Sequence, residues 1–173
     1  MDGIKTSKNL SETHPHLKEF SEFLDEFNKE TERGAALLAA ALLDEMLRRI
    51  IAAYLIPNEG AEKLLSGFNA PLGSFSARIS AALALGVINE VEAAECGRLR
   101  KIRNEFAHGV KVSFKNPVVV RLCGGLALAI KGEVDDDTAR RRFTTAAVAL
   151  ILHLTNRAHY VGLRQLVPQN WPR

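Results

Sequence analysis

Arg103, Asn104 and His108 fall within six positions of one another in the stretch RNEFAHG, residues 103–109. An imidazole exchanges a proton near neutral pH, a guanidinium holds phosphate or carboxylate charge, and an amide fixes the orientation of either. In a helix Asn104 and His108, four residues apart, share one stripe, so the amide is placed to orient the ring. Arg103 and His108, five apart, stand about 140° apart around the axis. They converge only through the length of the arginine, fraying at His108, or a second chain. The plain reading is a helix end, with a cation in the last turn answering the dipole and Gly109 closing the helix.

The helix that must carry these residues runs through INEVEAAECGRLRKIRNEFAHG. Asn89 followed by Glu92 predicts a capping box at its start. On a wheel centred on Ile102, the residues Val91, Glu95, Leu99 and Phe106 gather on the core side. Ala93, Gly97, Arg100, Asn104 and His108 gather opposite, and this second side has little bulk at Ala93 and Gly97. It is the expected partner-binding face, open to close approach by another helix of the same or a second chain.

Three other groups of residues carry possible chemistry. The turn FNAPLGS places Asn69, Pro71, Gly73, Ser76 and Arg78 where they can line a pocket, or where Phe68 and Leu72 plug a helix entry capped by Ser74. His153, Arg157, Tyr160 and Arg164 follow at intervals of four, three and four, a basic stripe fit for nucleic acid or an acidic partner if it is not a solvated helix face. Asp44-Glu45 precede Arg48-Arg49 by four residues each, which predicts two local ion pairs. Any of these acids that turns inward needs a cation, Arg78 or Arg103. Arg140, Arg141 and Arg142 begin the last helix, where the dipole opposes cations, and they either answer Asp135 to Asp137 or are held for a partner.

The rest of the chain supplies packed helices. Apolar residues are 47% of 173, aromatics only 6%, and alanine is frequent, which favours helix over sheet. Helical spacing predicts segments from about Pro15 to Lys29, Glu32 to Leu55, a short one in AEKLLSG, Ser74 to Leu85, Asn89 to His108, and about Thr138 to Gln165. VKVSFK reads as an extended loop. VVVRLCGGLALAI after Asn116-Pro117 allows strand or helix, the Asn-Pro start favouring helix. The expected fold is all-α, a single-domain bundle of about six or seven helices, with residues 1–12 a flexible N-terminal arm and 166–173 a C-terminal tail.

The net charge of +3 and pI of about 9.0 are too mild for a dedicated nucleic-acid binder. Acids crowd the first third and arginines dominate from Arg98 onward. The two cysteines, Cys96 and Cys123, have no zinc or redox spacing and are expected as buried thiols. No metal site, cofactor, glycine-rich phosphate loop or nucleophile elbow is expected. With neither a signal peptide nor a membrane span legible, the expected location is cytoplasmic.

Taken together, LLDEMLRRIIAAYL, LLSGFNAPLGSFSARISAALALGVI and LRKIRNEFAH resemble the bacterial mannitol operon repressor family, from about Ala35 to His108. The resemblance implies an all-helical cytosolic transcription regulator that acts by binding: a homo-oligomer whose partner is DNA or a regulatory protein. No helix-turn-helix is legible here. Arg103-Asn104-x3-His108 is also similar to the R-x4-H signature of HEPN domains. That likeness implies the alternative, a metal-independent ribonuclease in which His108 handles a proton, Arg103 steadies phosphate and Asn104 positions groups on RNA.

Overall fold

The computed structural model describes residues 18–129, 131 and 138–172. Every regular element among them is a helix, eight in order: α1 (Lys18–Phe27), α2 (Glu32–Tyr54), α3 (Glu59–Leu65), α4 (Phe75–Ala84), α5 (Glu90–His108), α6 (Pro117–Gly124), α7 (Ala139–Thr155) and α8 (Arg157–Gly162). The expected arm at 1–12, the proposed entry at Pro15 and the acids Asp135 to Asp137 lie outside the described residues.

Short polar side chains start most of these helices, as the sequence predicts at Ser74, Asn89 and Asn116. Thr31, Asn58, Ser74, Asn89 and Asn116 each accept a hydrogen bond from a backbone N–H of the first turn. Each bond satisfies one of the donors that a helix start leaves open. Asn89 and Glu92 complete the capping box. Asn116 and Pro117 settle VVVRLCG as a helix, because proline fits the first turn, where no N–H is needed. VKVSFK is loop.

The long α2 is the centre of the bundle, packed on α5, α8, α4 and α7. Ala36, Ala39, Leu43, Leu47, Ile50 and Ile51 are buried on it, and the alanines let neighbouring helices approach closely. A run of aromatic rings ties the ends of the chain together. Phe23 stacks on Phe27 at 4.9 Å, Phe27 meets Phe143 at 6.3 Å, Phe143 meets Phe114 at 5.1 Å, and Phe114 meets Phe106 at 4.9 Å. Offset and tilted rings at these separations add to the effect of burial. Phe106, inside RNEFAHG, is thus the anchor that fixes the C-terminal turn of α5.

The structure corrects two sequence expectations. The last helix is not continuous to Gln165: it breaks at Asn156 into α7 and α8. Thr155 Oγ1 donates back to the Ile151 carbonyl at 2.8 Å, a bond that bends helices. The redirected chain lays Ala158 and Val161 against the core and packs α8 on α2. On α5, Val91 is 51% exposed, while Glu92, Ala93 and Cys96 are buried with Leu99, Ile102 and Phe106. A single core stripe does not describe this helix because α2, α4, α6 and α7 surround it.

Both thiols are buried and free, and burial pushes each up to about 12. Neither Cys96 nor Cys123 is therefore expected to react with an aromatic disulfide reagent at pH 8 until the chain unfolds; fast labelling of native protein would contradict this burial. Phe106→Ala is expected to cost about 3–5 kcal/mol in urea unfolding, and Val91→Ala under about 0.5 kcal/mol.

Candidate functional site

The candidate site is the side of α5 that turns away from the core, with the hollow beside it on α2. Gly97 is half-buried, and a Cβ built there would meet nothing within 4 Å. Arg100 and Asn104 are half-buried and His108 is exposed. Ala93, expected on this face, belongs to the core instead. The face is therefore shorter than the wheel predicts, running from Gly97 to His108.

Arg103 turns the other way and lines a hollow with Leu37, Ala40, Ala41 and Asp44 of α2. Among the described residues, the side chains of Arg103, Asn104 and His108 make no hydrogen bond or ion pair, so the Asn104 amide does not orient the imidazole. The Nε of Arg100 is buried with no hydrogen-bond partner. A buried donor left unmade is costly, and functional surfaces are where such costs persist. The end of α5 is held from outside by Arg33, whose guanidinium donates to the carbonyls of Gly109 at 2.7 Å and Val110 at 3.1 Å. Glu32 accepts from the Phe114 N–H at 3.1 Å.

The FNAPLGS turn is built around one buried cation. Arg78 donates to the Leu72 carbonyl at 2.8 Å, to the Leu65 carbonyl at 3.5 Å and to Asp44 at 2.8 Å. Asp44 thus turns to Arg78 and not to Arg48, while Glu45 takes both Arg48 and Arg49. Asn69 is left-handed at φ 57°, a conformation asparagine tolerates. A Cβ at Gly73 would press on the Ala70 carbonyl at 2.9 Å. Pro71 and Ser76 are exposed. Phe68 is no plug, since it is 97% exposed on the outside of the turn, while Leu72 packs against the core.

The basic stripe does not survive the break at Asn156. His153 lies on α7, and Arg157 is drawn inward to Glu92 (2.7 and 3.2 Å) and the Val87 carbonyl (3.0 Å). Arg157, Tyr160 and Arg164 instead line a cleft with Tyr54. Two of the three arginines at the start of α7 also find tertiary partners. Arg142 is buried and donates to the carbonyls of Cys123 and Leu126 at 3.2 Å each, closing the end of α6, and Arg140 donates to the Glu30 carbonyl. Sequence reasoning missed these, and missed Glu95 as a loop holder. Glu95 is fully buried and accepts from the N–H groups of Ala127 at 3.0 Å and Leu128 at 2.9 Å.

Among the described residues no group of three His, Cys, Asp or Glu side chains is placed to hold a metal ion, and no helix is long and apolar enough to cross a membrane.

No family model matches the chain, and neither does any curated protein. Among solved structures, a chain of the X-ray structure of the MtlR–HPr complex from Escherichia coli is similar, with a TM-score of 0.55 and 24% sequence identity. The match covers 82% of this chain and 97% of that one. The fold is MtlR-like.

Arg78→Ala strands two carbonyls and a carboxylate at once and is expected to cost roughly 3 kcal/mol in chemical unfolding. Asp44→Asn should cost less, since Asp44 is nearer solvent and asparagine still accepts. The hydrogen bond from Arg48 and the pairing with Arg49 hold Glu45 down at about 2, against the desolvation that raises it. A depressed carboxyl stabilises the fold fully above its ordinary range and loses that contribution as pH falls from about 4.5 towards 2. The melting temperature of Glu45→Gln should accordingly fall less steeply than that of the parent over this window.

Proposed function

We propose that this chain is a regulator of the mannitol operon repressor type, working by binding and not by catalysis, with a regulatory protein as its main partner. The observation that carries the reading is the open side of α5. Gly97 leaves room there, and Arg100, Asn104 and His108 stand around it with polar groups uncommitted to the rest of the chain. A neighbouring surface that supplies acceptors satisfies them, and the cation at Arg100 favours an acidic one. The similar fold from Escherichia coli was solved in a complex with HPr, which supports a protein partner for this fold. Self-association through the same face, and contact with operator DNA, belong to the same reading as further binding modes.

Gly97→Leu tests it directly. A Cβ at this position meets nothing within 4 Å, so the fold is expected to persist with an unchanged melting temperature. Binding of purified HPr, followed by calorimetry, is expected to weaken at least about ten-fold, as for a bulky group placed at the centre of an interface. Equal affinity in parent and variant, or no HPr binding by the parent, would remove HPr docking at this face. A gel shift with operator and random DNA at two salt concentrations separates direct DNA reading from charge attraction.

A second reading is a HEPN-like ribonuclease using Arg103, Asn104 and His108, favoured by the same lack of hydrogen-bond partners among these three side chains. The regulator reading expects no RNA cleavage in EDTA. Cleavage that disappears in His108→Ala would replace it with the nuclease.

A further inference from the structure

The cleft at the opposite end of the bundle has a different character from the α5 face. It has a volume of about 600 Å³ and is lined by Tyr54 of α2, Leu85, Gly86 and Val87 after α4, and Arg157, Tyr160, Val161, Leu163 and Arg164 of α8 and the chain beyond it. That volume lies in the range of small-molecule sites, about 300–1,000 Å³. The floor is fixed. The Leu166 N–H donates to the Tyr54 carbonyl at 2.8 Å, which ties the segment after α8 back onto α2.

The lining has one sign of charge. Two arginines face the cleft and no carboxylate lines it. Arg157 is already balanced by Glu92, which leaves its position rigid. Arg164 is exposed and makes no side-chain hydrogen bond or ion pair among the described residues. The walls are apolar, from Leu85, Val87, Val161 and Leu163, and the two tyrosines add hydroxyl groups. Gly86, at φ 68°, puts bare backbone in the lining. A nucleic-acid track needs a row of uncommitted cations, one for each phosphate neutralised, and the break at Asn156 leaves one here.

We propose that this cleft binds a small organic anion, with its carboxylate or phosphate on Arg164 beside Arg157 and its apolar body between Leu85, Val87 and Val161. The guanidinium of Arg164 supplies charge-assisted hydrogen bonds to the anionic head. Glu92 also connects the cleft to α5, since the same carboxylate accepts from Arg157 and completes the capping box at the start of that helix.

Calorimetry on the full chain, with no protein partner present, tests this apart from the α5 reading. The probes are phenyl phosphate, benzoate, inorganic phosphate and neutral benzyl alcohol. One-site binding of phenyl phosphate or benzoate is expected, and comparing the two separates a phosphate from a carboxylate head. Inorganic phosphate and benzyl alcohol should each bind about ten-fold more weakly, lacking the body or the charge. Arg164→Gln should lower the affinity for the aromatic anion about ten-fold, and Arg121→Gln, on an exposed part of α6, should leave it unchanged. The proposal is overturned if neither aromatic anion binds at one site, if Arg164→Gln binds as the parent does, or if Arg121→Gln loses as much.

Discussion

The bundle depends on ionised side chains that take the place of water for the backbone of its loops. A loop laid over a helical core brings carbonyls and N–H groups with no helical partner, and each one buried unmade is costly. Here helices reach out to meet them. Glu95 of α5 accepts from two consecutive N–H groups of the chain after α6, Arg142 of α7 donates to three carbonyls at the end of α6, and Arg78 of α4 gathers the turn before it. A buried charge with such partners is satisfied, whereas the same charge alone would be expelled or neutralised. This explains how a chain with modest aromatic content holds irregular segments in fixed positions.

The two candidate surfaces follow from that device. Because Arg157 holds the Val87 carbonyl just before α5, and because Arg33 and Glu32 clamp the chain after His108, α5 is fixed at both its flanks. Its outward side is then free to remain short of bulk at Gly97 and rich in uncommitted polar groups towards His108. At the other end, the pairing of Arg157 with Glu92 ties α8 to the start of α5, beside the cleft that Arg157 and Tyr160 line. The nineteen residues of α5 thus carry a candidate partner face towards one end and a carboxylate tied to a candidate ligand cleft at the other.

The position of Arg103 bears on how the RNEFAH segment is understood. In a continuous helix its side chain leaves the stripe shared by Asn104 and His108, and it lies in the hollow beside Asp44. Asp44 is meanwhile engaged by Arg78. Within one chain, then, the arginine and the histidine serve different surroundings. The aromatic contacts of Phe106 with Phe114 fix the helix end, so their separation is a property of the core and not of a loose terminus.

The sequence by itself determined what depends on neighbours along the chain. The helix starts at Ser74, Asn89 and Asn116, the helical class, the loop at VKVSFK and the buried thiols were legible because each rests on residues within a few positions or on simple apolarity. That one of Asp44 and Glu45 would turn inward and need a cation was legible, with Arg78 among the two candidates. Tertiary structure alone decided the rest. The Arg157–Glu92 pair joins residues 65 apart, Glu95 reaches N–H groups 32 and 33 residues away, and Arg142 reaches back 16 to 19. Helical periodicity assigns a charged residue to an outer face, because a lone charge pays a large desolvation cost inside. It cannot register that a distant loop will bring the compensating groups, and so the break at Asn156, the inward arginines and the cleft they frame became visible only once the helices were packed.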